Sequence, residues 1–294
     1  MKKIFFVLVL SISALSTISC KKDDGTEVTP IRDYAEQYAT DKTAIDNFLR
    51  THSMAVDANY NVTFADVTEN APNCIKLQTQ YPLQERTVDE DGITYKFPYI
   101  VFNEGSQRRP TAVDSVLVSY RGVTLDNVQF DKADSPLWFK LGENVITGWG
   151  HIFPAFKTGT YTDMVSETLF SNYGAGVFFL PSGLAYYNYG SASIGAYQPI
   201  IFNVKLYELR YRDHDADGVL SKNEIPASSS SDIFYSPSSY DSDGDGVPNM
   251  YDIDDDGDKI QTKFEIHKDS SGNIIFEDCD GDGIPNYLDP DKCL

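Results

Sequence analysis

The spacing of apolar positions predicts helical structure near the start of the chain. Between positions 31 and 53, apolar residues recur at roughly helical intervals, which would place them on one face of a helix. These residues are Tyr34, Tyr38, Ile45, Phe48 and Leu49. Asp41 stands where it would cap a second helix, so we expect an amphipathic helical hairpin that packs on the next domain or on a partner.

From Tyr60 to about Arg212 the pattern changes to short β-rich runs that Gly, Pro and Asn separate. The runs are NVTFADV, ITYKFPYIVF, SVLVSYRGV and IIFNVKLYEL, and between the last two lies one short helical candidate, TGWGHIFPAF. This order predicts an α+β domain with a mainly antiparallel sheet. Beyond Arg212 the apolar content falls, and the serine-rich stretch within residues 226–240 is typical of a linker.

The first twenty residues carry two lysines, an apolar run from Ile4, small residues and then Cys20. This pattern predicts a secretory signal peptide over residues 1–19, because the apolar run is too short to span a membrane. Cys20 directly after Ser19 resembles the lipobox of bacterial lipoproteins, although Thr17 stands where that signal usually has Leu. The resemblance implies a lipid on Cys20 that attaches the chain to a membrane. The alternative is a simple secretory signal with an incidental cysteine.

Residues 20–30 are polar and predict a flexible tether. The segment KKDDGTE resembles the surface-export signal of Bacteroidetes lipoproteins. That resemblance implies a location at the outer membrane, and it favours the cell surface over the periplasmic face.

The formal net charge of −20 is concentrated towards the C-terminus. Residues 213–294 hold 21 acidic and 5 basic side chains, a net charge of −16, so the remainder of the chain carries only about −4. This balance argues against binding to nucleic acid, because phosphate contacts need clustered Lys and Arg. With 41% hydrophobic and 13% aromatic residues, the chain can build a packed core and is not expected to be globally disordered.

Five motifs between about Tyr95 and Leu209 resemble those of the FKBP-type peptidyl-prolyl cis-trans isomerases. In chain order they are RRPTAVDSVLVSYRG, QFD, LGENVITGW, LPSGLAYY and IIFNVKLYEL. The form FFLPSGLAYY, together with the lipobox, is similar to the lipoprotein isomerases of Bacteroidetes. The resemblance implies that residues 93–212 fold as a twisted antiparallel sheet around one short helix. Residues 31–92 would then form an N-terminal extension of helix and strand.

The same resemblance implies a proline-binding pocket that contains almost no charge. Its lining would be Tyr120, Phe130, Asp131, Val145, Ile146, Trp149, Tyr186, Ile194 and Phe202. Trp149 would form the floor, and the Tyr186 hydroxyl and the Ile146 N–H would donate to substrate carbonyls. Asp131 would act electrostatically rather than as a general base. The implied substrates are proline-containing client proteins, and no metal or other cofactor is expected in catalysis; the alternative is that each aromatic ring simply fills the core.

Departures from the family leave the amount of turnover open. Leu137 stands where an aromatic wall residue is usual, Tyr187 replaces a glycine, and the segment between Gly159 and Phe178 is longer than usual. One alternative is therefore an FKBP-fold module, of a chaperone kind, that holds proline-containing segments without turnover. A second is a calcium-dependent component of the cell surface, in adhesion or gliding, although the gliding link rests on analogy alone.

The acidic residues near the C-terminus repeat a twelve-residue spacing. A calcium loop of EF-hand type presents oxygen ligands at positions 1, 3, 5, 7, 9 and 12, with a sharp turn at position 6. The predicted ligands are Asp213, Asp215, Asp217, the Val219 carbonyl, Ser221 and Glu224; Asp241, Asp243, Asp245, the Val247 carbonyl, Asn249 and Asp252; Asp254, Asp256, Asp258, the Ile260 carbonyl, Thr262 and Glu265; and Asp278, Asp280, Asp282, the Ile284 carbonyl, Asn286 and Asp289. Residues 213–294 are thus predicted to bind structural Ca²⁺ through four loops. Lys259 occupies the turn position of the third loop, where the other three have Gly.

The GVPN and GIPN steps of these loops resemble thrombospondin type 3 and related bacterial calcium repeats, and the first loop is closer to an EF-hand. The alternative is a solvated acidic tail, which has no reason to keep Gly and an aliphatic residue in register with the aspartates. Because apolar residues are few, we expect this segment to fold only when calcium neutralises it. Within DSDGDGVPNMYDIDDDGD, only the carboxylate of Asp255 falls outside the pattern.

Three further cysteines follow Cys20 in the chain: Cys74, Cys279 and Cys293. Secretion permits a disulfide, and a bond between Cys279 and Cys293 would staple the last acidic loop. Cys74 would then be an unpaired, buried thiol.

Overall fold

The computed structural model describes residues 30–143, 145–165, 168–191, 193–225 and 233–290. From Arg32 onward the chain forms one compact unit. The predicted signal peptide and the predicted lipid attachment at Cys20 lie outside the described residues. Within the described ranges, no helix is both long enough and apolar enough to cross a bilayer.

Helix α1 (Tyr34–Thr51) is one continuous helix, so the predicted helical hairpin is wrong. Asp33 caps its N-terminus, since its Oδ1 accepts hydrogen bonds from the N–H groups of Ala35 (2.9 Å) and Glu36 (3.1 Å). No Gly or Pro interrupts the helix, so nothing forces a break at Asp41. Asp41 lies inside the helix and is buried, so it cannot act as the cap of a second one.

A six-stranded antiparallel sheet forms the centre of the unit. The strands that precede the acidic segment are β1 (His52–Val56), β2 (Val62–Asp66), β3 (Gln84–Glu90), β4 (Ile93–Asn103), β5 (Ser115–Thr124), β6 (Gln129–Lys140), β7 (Thr160–Asp163), β8 (Thr168–Ser171), β9 (Gly174–Leu180) and β10 (Ile200–Arg210). The order across the large sheet is β3-β4-β9-β10-β5-β6, while β1 pairs with β2 and β7 with β8. All of these pairs are antiparallel, which confirms the predicted α+β fold class. Strand β3 belongs to the predicted N-terminal extension, so the extension supplies one edge of this sheet.

Both faces of the sheet are buried, and strand β9 shows this most clearly. Val177 and Phe179 face the apolar cluster that contains helix α1, whereas Phe178 and Leu180 face the cluster around helix α2 (Thr147–Ile152). The alternation follows from the two-residue period of a strand. Because each fully buried apolar side chain contributes about 1.5–3 kcal/mol, this strand anchors both helices to the sheet.

The acidic segment consists of loops joined by short 3-10 turns, with one small hairpin of β11 (His267–Lys268) and β12 (Ile274–Ile275). Its apolar cluster is small compared with the clusters on the sheet. The members are Val219, Tyr287 and Leu288, with Ile266 partly buried against them. Hydrophobic burial alone therefore gives this segment little stability.

The described part of the predicted linker packs against other elements. Residues 226–232 lie outside the described ranges. Beyond them, the Phe234 ring is 4.0 Å from the Arg86 guanidinium carbon, and the Tyr235 hydroxyl donates to the Lys222 carbonyl at 3.2 Å. The stretch after residue 232 is therefore fixed to the body of the protein.

Two cysteines lie within the described residues. Cys74 is a buried free thiol, and Cys279 is disulfide-bonded. Cys293 lies outside the described residues, so a bond between it and Cys279 stays a prediction.

Candidate functional site

Trp149 lies at the centre of a cluster of aromatic rings. Helix α2 begins after Ile146, whose backbone is extended (φ −63°, ψ 146°), and it turns the Trp149 side chain inward, where it is 3% exposed. Edge-to-face contacts join its ring to those of Tyr120 (5.1 Å between centroids), Phe139 (5.2 Å), Phe153 (5.3 Å) and Phe202 (5.4 Å). Each such pair stabilises the fold by about 0.5–1.5 kcal/mol beyond simple burial.

Phe130 on β6 and Phe202 on β10 form an adjoining wall over strand β5, which lies between these two strands. Phe202 lies opposite Gly122 in the ladder, and a Cβ at Gly122 would stand 2.4 Å from the Phe130 ring and 3.0 Å from the Phe202 ring. Only glycine leaves room for this approach. Phe130 contacts the ring of Phe202 at 5.5 Å and that of Tyr186 at 6.3 Å, so the wall continues towards the turn after β9.

Tyr120 and Asp131 are hydrogen-bonded at the edge of the aromatic cluster. The Tyr120 hydroxyl donates to Asp131 Oδ2 at 2.7 Å, and the Lys132 N–H donates to Asp131 Oδ1 at 2.8 Å. Burial first, and then the bonded Asp131 carboxylate, raise the pKa of Tyr120. Tyr120 therefore stays protonated, and both oxygens of Asp131 are already engaged as acceptors.

Two donors at the rim of the cluster remain unused. Among the described residues, neither the Tyr186 hydroxyl nor the Ile146 N–H donates a hydrogen bond. Burial raises the pKa of Tyr186, so its hydroxyl keeps the proton it would donate. Both groups lie beside the aromatic wall, where a bound peptide could accept from them.

The structure brings the nine predicted pocket residues together. Eight belong to one apolar cluster or pack against it, and Asp131 is attached to that cluster through Tyr120. The eight are Tyr120, Phe130, Val145, Ile146, Trp149, Tyr186, Ile194 and Phe202. Their roles towards a substrate stay predictions.

Phe139 is a wall residue that sequence reasoning missed. Its ring contacts Trp149 at 5.2 Å and Tyr120 at 5.8 Å. Leu137, two residues earlier on the same strand, is 51% exposed. The two-residue period of β6 could have indicated Phe139 as the wall residue, because it places Leu137 and Phe139 on the same face.

The turn that carries Tyr186 is held by helix α1. Asp41 Oδ2 accepts from the Ser182 N–H at 2.7 Å and from the Ser182 hydroxyl at 2.6 Å, and its Oδ1 accepts from the Gln37 amide at 2.6 Å. Asp41 is only 1% exposed, and burial raises the pKa of its carboxyl. Helix α1 therefore reaches the pocket through the segment from Ser182 to Tyr186.

In each predicted calcium loop the carboxylates at positions 1, 3 and 5 come together. One oxygen from each of the three lies within 4.8 Å of the other two. The four clusters are Asp213, Asp215 and Asp217; Asp241, Asp243 and Asp245; Asp254, Asp256 and Asp258; and Asp278, Asp280 and Asp282. Calcium takes six to eight oxygen ligands at about 2.3–2.6 Å, so this spacing fits ligands of a single ion.

Backbone hydrogen bonds orient these carboxylates in the same way from loop to loop. In the first loop, Asp213 accepts from the Gly218 N–H at 3.2 Å, and Asp217 accepts from the Val219 N–H at 2.7 Å. The second and fourth loops repeat both bonds at the equivalent positions. In the first loop, Oδ2 of Asp215 and Oδ2 of Asp217 are buried without a hydrogen-bond partner among the described residues.

The other predicted ligands of the template lie at positions 7 and 12. Within the described ranges, no hydrogen bond reaches the position-7 carbonyl oxygens of Val219, Val247, Ile260 and Ile284. At position 12, Glu224 is fully buried, and neither of its carboxylate oxygens has a hydrogen-bond partner in the part of the chain that the structure describes. The equivalent residues Asp252, Glu265 and Asp289 are half-buried at the ends of the other loops.

Burial of these acids changes their protonation. It is the main cause that raises the pKa of Glu224 to about 10, and the charges of Asp215 and Asp255 add to the rise. Burial also raises the pKa of Asp255 to about 8, with Asp217 as the leading charge. At neutral pH the folded segment therefore needs either protons or a cation to neutralise these groups.

The side chains at position 9 form hydrogen bonds within their own loops, and their role as calcium ligands stays a prediction. The spacing predicts Ser221, Asn249, Thr262 and Asn286 as ligands, but each is hydrogen-bonded to the residue at position 2 of its own loop. The pairs are Ser221 with the His214 ring (2.8 Å), Asn249 with the Ser242 N–H (2.8 Å), Thr262 with the Asp255 carboxylate (3.1 Å) and Asn286 with the Cys279 N–H (3.0 Å). In all four loops the position-9 N–H also donates to the carbonyl before position 1. These residues therefore close the loops, because irregular backbone needs such side-chain partners.

Two protein families match the chain. The family model of the FKBP-type peptidyl-prolyl cis-trans isomerases matches residues 106–207, which contain the whole aromatic cluster. The matched residues 106–207 are called the FKBP-type domain below. A family model described as BamM C-terminal matches residues 214–277, a range that spans almost all of the first three acidic loops. That family differs from the thrombospondin type 3 repeats that the loops resemble, so calcium binding by such repeats stays a prediction.

The chain is also similar to several individual proteins. It is 30% identical over 131 residues to the FKBP-type peptidyl-prolyl cis-trans isomerase FkpA of Aeromonas hydrophila, which covers 44% of this chain and 42% of that protein's length. A solved peptidyl-prolyl cis-trans isomerase from Pseudomonas syringae shares 19% identity over 62% of this chain and 98% of its own, with a TM-score of 0.38. Solved FkpA from Escherichia coli shares 20% identity over 60% of each chain, with a TM-score of 0.36.

Two sequence features that are unusual for the FKBP family, Tyr187 and the extra segment after Gly159, have a defined place in the structure. Tyr187 adopts a left-handed backbone (φ 41°), which suits the glycine that is usual there. Its ring stacks on Tyr34 of helix α1 with centroids 4.1 Å apart, and its hydroxyl donates to the Arg32 carbonyl. The extra segment after Gly159 contains the β7–β8 hairpin. The tyrosine thus fastens helix α1 to the pocket turn.

Replacing Lys259 by glycine is expected to stabilise the acidic segment. Lys259 has φ 79° at the turn position, where Gly246 and Gly283 both have φ 98°. A side chain in this region costs about 1–2 kcal/mol, partly offset by the greater freedom of unfolded glycine. Lys259→Gly should therefore raise the free energy of unfolding in calcium buffer by about 0.5–1 kcal/mol, measured by thermal denaturation. Gly246→Ala is the matched control, and it should lower the free energy of unfolding. A loss of stability in Lys259→Gly would contradict the inference that the backbone at Lys259 is strained.

Proposed function

We propose that the FKBP-type domain catalyses cis-trans isomerisation of X-Pro bonds in client proteins. The observation that carries this proposal is the convergence of Trp149, Phe130, Phe202 and two unused donors on one apolar surface. The match of residues 106–207 to the isomerase family supports the same reaction. Isomerisation requires neither a nucleophile nor a metal, because no covalent bond is broken.

The physical problem in this reaction is a barrier of about 18–20 kcal/mol, caused by loss of amide resonance. For X-Pro bonds the two isomers differ by only about 0.5–1 kcal/mol, so a catalyst has to lower the barrier alone. A pocket that fits the twisted amide better than either planar form achieves this. Trp149 would lie under the prolyl ring, while the Tyr186 hydroxyl and the Ile146 N–H would hold the flanking carbonyls. The bond to Asp131 keeps the Tyr120 ring in a fixed orientation beside them.

A protease-coupled assay on an X-Pro peptide tests the proposal. The wild-type chain should accelerate isomerisation, and Tyr186→Phe should lower kcat/KM about fivefold, since a hydrogen bond of about 1 kcal/mol is lost. The matched control is Tyr161→Phe, which removes the same hydroxyl from an exposed position on β7. Absence of acceleration by the folded wild type would reject the enzyme and leave a binding module.

The binding-module alternative is favoured by the β7–β8 hairpin. Its apolar side chains at Met164, Val165 and Leu169 are exposed, which suits contact with apolar segments of a client protein. In that case the wild type would bind a proline-containing peptide without accelerating its isomerisation. The same assay, combined with a peptide-binding measurement, distinguishes the two functions.

We further propose that the four acidic loops hold structural calcium ions. The buried, unpartnered oxygens of Asp215, Asp217 and Glu224 are the observation in favour, because buried carboxylates are normally paired or ligate metals. Each loop would supply its ligands from the carboxylates at positions 1, 3 and 5, the carbonyl at position 7, the side chain at position 9 and the acid at position 12. Bound calcium would neutralise the segment and allow it to stay compact.

The N-terminal sequence is the basis of our proposal for the location of the protein. We propose that Cys20 carries a lipid, which places the isomerase at the outer membrane, on the cell surface or on the periplasmic face. The polar tether up to residue 30 would let the folded unit reach client proteins near that membrane. Thrombospondin type 3-like repeats and the Bacteroidetes lipoprotein type belong to the same proposal.

A further inference from the structure

A polar cavity of about 580 Å³ lies on the face of the sheet opposite the aromatic cluster. Strands β5 and β10 form its floor, and its lining includes Ser119, Arg121 and Lys205. Side chains alternate between the two faces of a strand, and the intervening Tyr120 belongs to the cluster around Trp149. The turn between β1 and β2 forms one wall of the cavity, and strand β6 forms another. We call this cavity the polar cleft.

Asn203 fastens the wall of the polar cleft to its floor. The residue is 8% exposed, and its Nδ2 donates to the Tyr60 carbonyl at 3.1 Å and to the Gly176 carbonyl at 3.0 Å. Its Oδ1 accepts from the Val62 N–H at 3.2 Å. Both ends of this buried amide are therefore used, and they hold the turn between β1 and β2 at a fixed distance from the sheet.

Two buried hydroxyl groups lie on the floor of the cleft. The oxygens of Ser119 and Tyr207 are 2.9 Å apart, and the two residues are 4% and 9% exposed. One hydroxyl donates to the other, which leaves one of the two hydrogens without a partner among the described residues. Because burial of a hydroxyl is costly unless it is hydrogen-bonded, an acceptor oxygen in the cleft would satisfy this hydrogen.

The charge of the cleft is positive although the whole chain carries −20. Its lining contains three basic side chains, Arg121, Lys132 and Lys205, against one acid, Asp134, among the described residues. Asp134 pairs with Lys132 at 2.5 Å, and a second acid, Asp57, acts on Lys205 from the neighbouring turn. Basic groups thus outnumber acids here, so the cleft attracts an anion.

Arg121 and Lys205 have only uncharged hydrogen-bond partners among the described residues. Arg121 donates through Nε to the Gln129 amide oxygen at 3.1 Å and through Nη1 to the Val62 carbonyl at 3.2 Å. Lys205 donates to the Asn61 amide oxygen at 2.6 Å. Burial lowers the pKa of Lys205, which shows that these partners do not fully replace the water that its ammonium group has lost.

The polar cleft and the predicted proline pocket lie on the two faces of one sheet edge. In the β5–β6 ladder Arg121 pairs with Lys132, and Gly122 pairs with Asp131. The first pair lines the cleft, whereas Gly122 lies against the Phe130 ring of the aromatic wall. Because β6 is the edge strand of the sheet, an extended chain that wraps over β6 passes from the pocket to the cleft.

We propose that the polar cleft binds carboxylates of an acidic client segment whose proline lies in the aromatic pocket. A carboxylate matches the remaining donors of the Arg121 guanidinium, the Lys205 ammonium and the unpaired hydroxyl hydrogen of the floor. The inference rests on the proposed isomerase function for the nature of the client, whereas binding in the cleft itself requires no turnover. The preferred clients are then polypeptides with acidic residues near a proline.

Fluorescence polarisation of the full chain with a labelled tetraglutamate peptide tests the cleft directly. The wild type should bind this peptide, and it should bind tetraglutamine at least about tenfold more weakly, because charge-assisted hydrogen bonds are the stronger ones. Arg121→Gln and Lys205→Gln should each weaken tetraglutamate binding about fivefold to tenfold. Lys42→Gln is the matched control, since it removes the same charge from an exposed position on helix α1.

Lys132→Gln serves as a further variant, because its half-exposed side chain can be changed without disturbing the floor of the cleft. It should weaken tetraglutamate binding about twofold to fivefold. Equal binding of tetraglutamate and tetraglutamine, or wild-type affinity in all three cleft variants, would overturn the inference. Inorganic phosphate separates two sources of the anion: tighter binding of phosphate than of tetraglutamate would assign the cleft to phosphate groups and also overturn it.

The isomerase assay tests whether the cleft and the pocket act on one client. An X-Pro peptide would carry tetraglutamate or tetraglutamine beyond a spacer of about six residues, which spans ~20 Å when extended. The acidic form should have a KM about fivefold lower at equal kcat, because the cleft binds the ground state and the transition state alike. Lys205→Gln should remove the difference between the two peptides. Equal KM values in the wild type would overturn the inference, whereas no acceleration of either peptide would reject the isomerase function and leave the binding measurement to decide the cleft.

Discussion

Chelation of calcium is expected to unfold residues 213–290 while the FKBP-type domain stays folded. The acidic segment has a small apolar cluster around Val219 and Tyr287. Within the described residues, both carboxylate oxygens of Glu224 and Oδ1 of Asp255 are buried without a hydrogen-bond partner. Removal of the ions would leave these charges uncompensated at several kcal/mol each. Hydrogen–deuterium exchange should therefore become fast throughout the segment when chelator is added.

The two tryptophans provide an internal control for this experiment. Trp138 and Trp149 both lie in the FKBP-type domain, so their fluorescence should change little on chelation. Magnesium should restore protection less well than calcium, because it demands a small octahedral site and loses its water reluctantly. Unchanged exchange in the segment after chelation would contradict the structural role of calcium.

Without calcium, the stability of the acidic segment is expected to fall as the pH rises. The folded pKa values of Glu224, about 10, and Asp255, about 8, lie above the ordinary values of about 4. Their stabilising contribution is therefore complete below about pH 4 and is lost as the pH rises through 8 and 10. The segment should resist chelator better at pH 5 than at pH 9. Glu224→Gln should flatten this dependence, because it removes the group with the larger shift.

Asp41→Ala is expected to lower the free energy of unfolding by about 3 kcal/mol. The substitution leaves the buried Ser182 N–H and the Gln37 amide without their acceptor, and it opens space between helix α1 and the sheet. Because the turn from Ser182 leads to Tyr186, isomerase activity should fall as well. Urea denaturation gives the change in stability, and the protease-coupled assay gives the change in kcat/KM.

Asp46→Ala on the same helix is the matched control. Asp46 pairs with Arg50 and Lys76 and is 40% exposed in its side chain, so its loss should cost less than about 1 kcal/mol. Asp41→Asn keeps an acceptor oxygen and should give an intermediate loss. Equal losses of stability for Asp41→Ala and Asp46→Ala would show that the buried hydrogen bonds to Ser182 contribute no more to the free energy of unfolding than the exposed ion pairs of Asp46.

The sequence was sufficient to predict the sheet and the pocket because both depend on local pattern. Strand periodicity and five ordered motifs place Tyr120, Phe130 and Phe202 on neighbouring strands, and the structure brings them together around Trp149. A single helix α1 was not predicted because the partner of its buried Asp41 is Ser182, far away in the chain. Residue preferences at helix ends depend only on nearby sequence, so they contain no information about a distant partner.

In the acidic loops, the twelve-residue spacing predicts the positions of some ligands but not the role of every residue. Spacing predicts the carboxylate clusters correctly, since positions 1, 3 and 5 of a tight loop have to face one another. It does not decide the role of position 9, because a Ser, Thr or Asn there can either bind a cation or close the loop. Thr262 and Asn249 close their loops through hydrogen bonds to position 2.

The bond between Asp41 and Ser182 also has a consequence for the order in which the protein folds. The two residues are 141 positions apart, so helix α1 is synthesised long before its binding surface exists. Contacts of such long range form slowly, because a large loop has to close first. The apolar face with Ile45, Phe48 and Leu49 is therefore only partly covered, by residues such as Val62 and Ile75, until Val177 and Phe179 of β9 have joined the cluster. An apolar face that is open during folding favours aggregation.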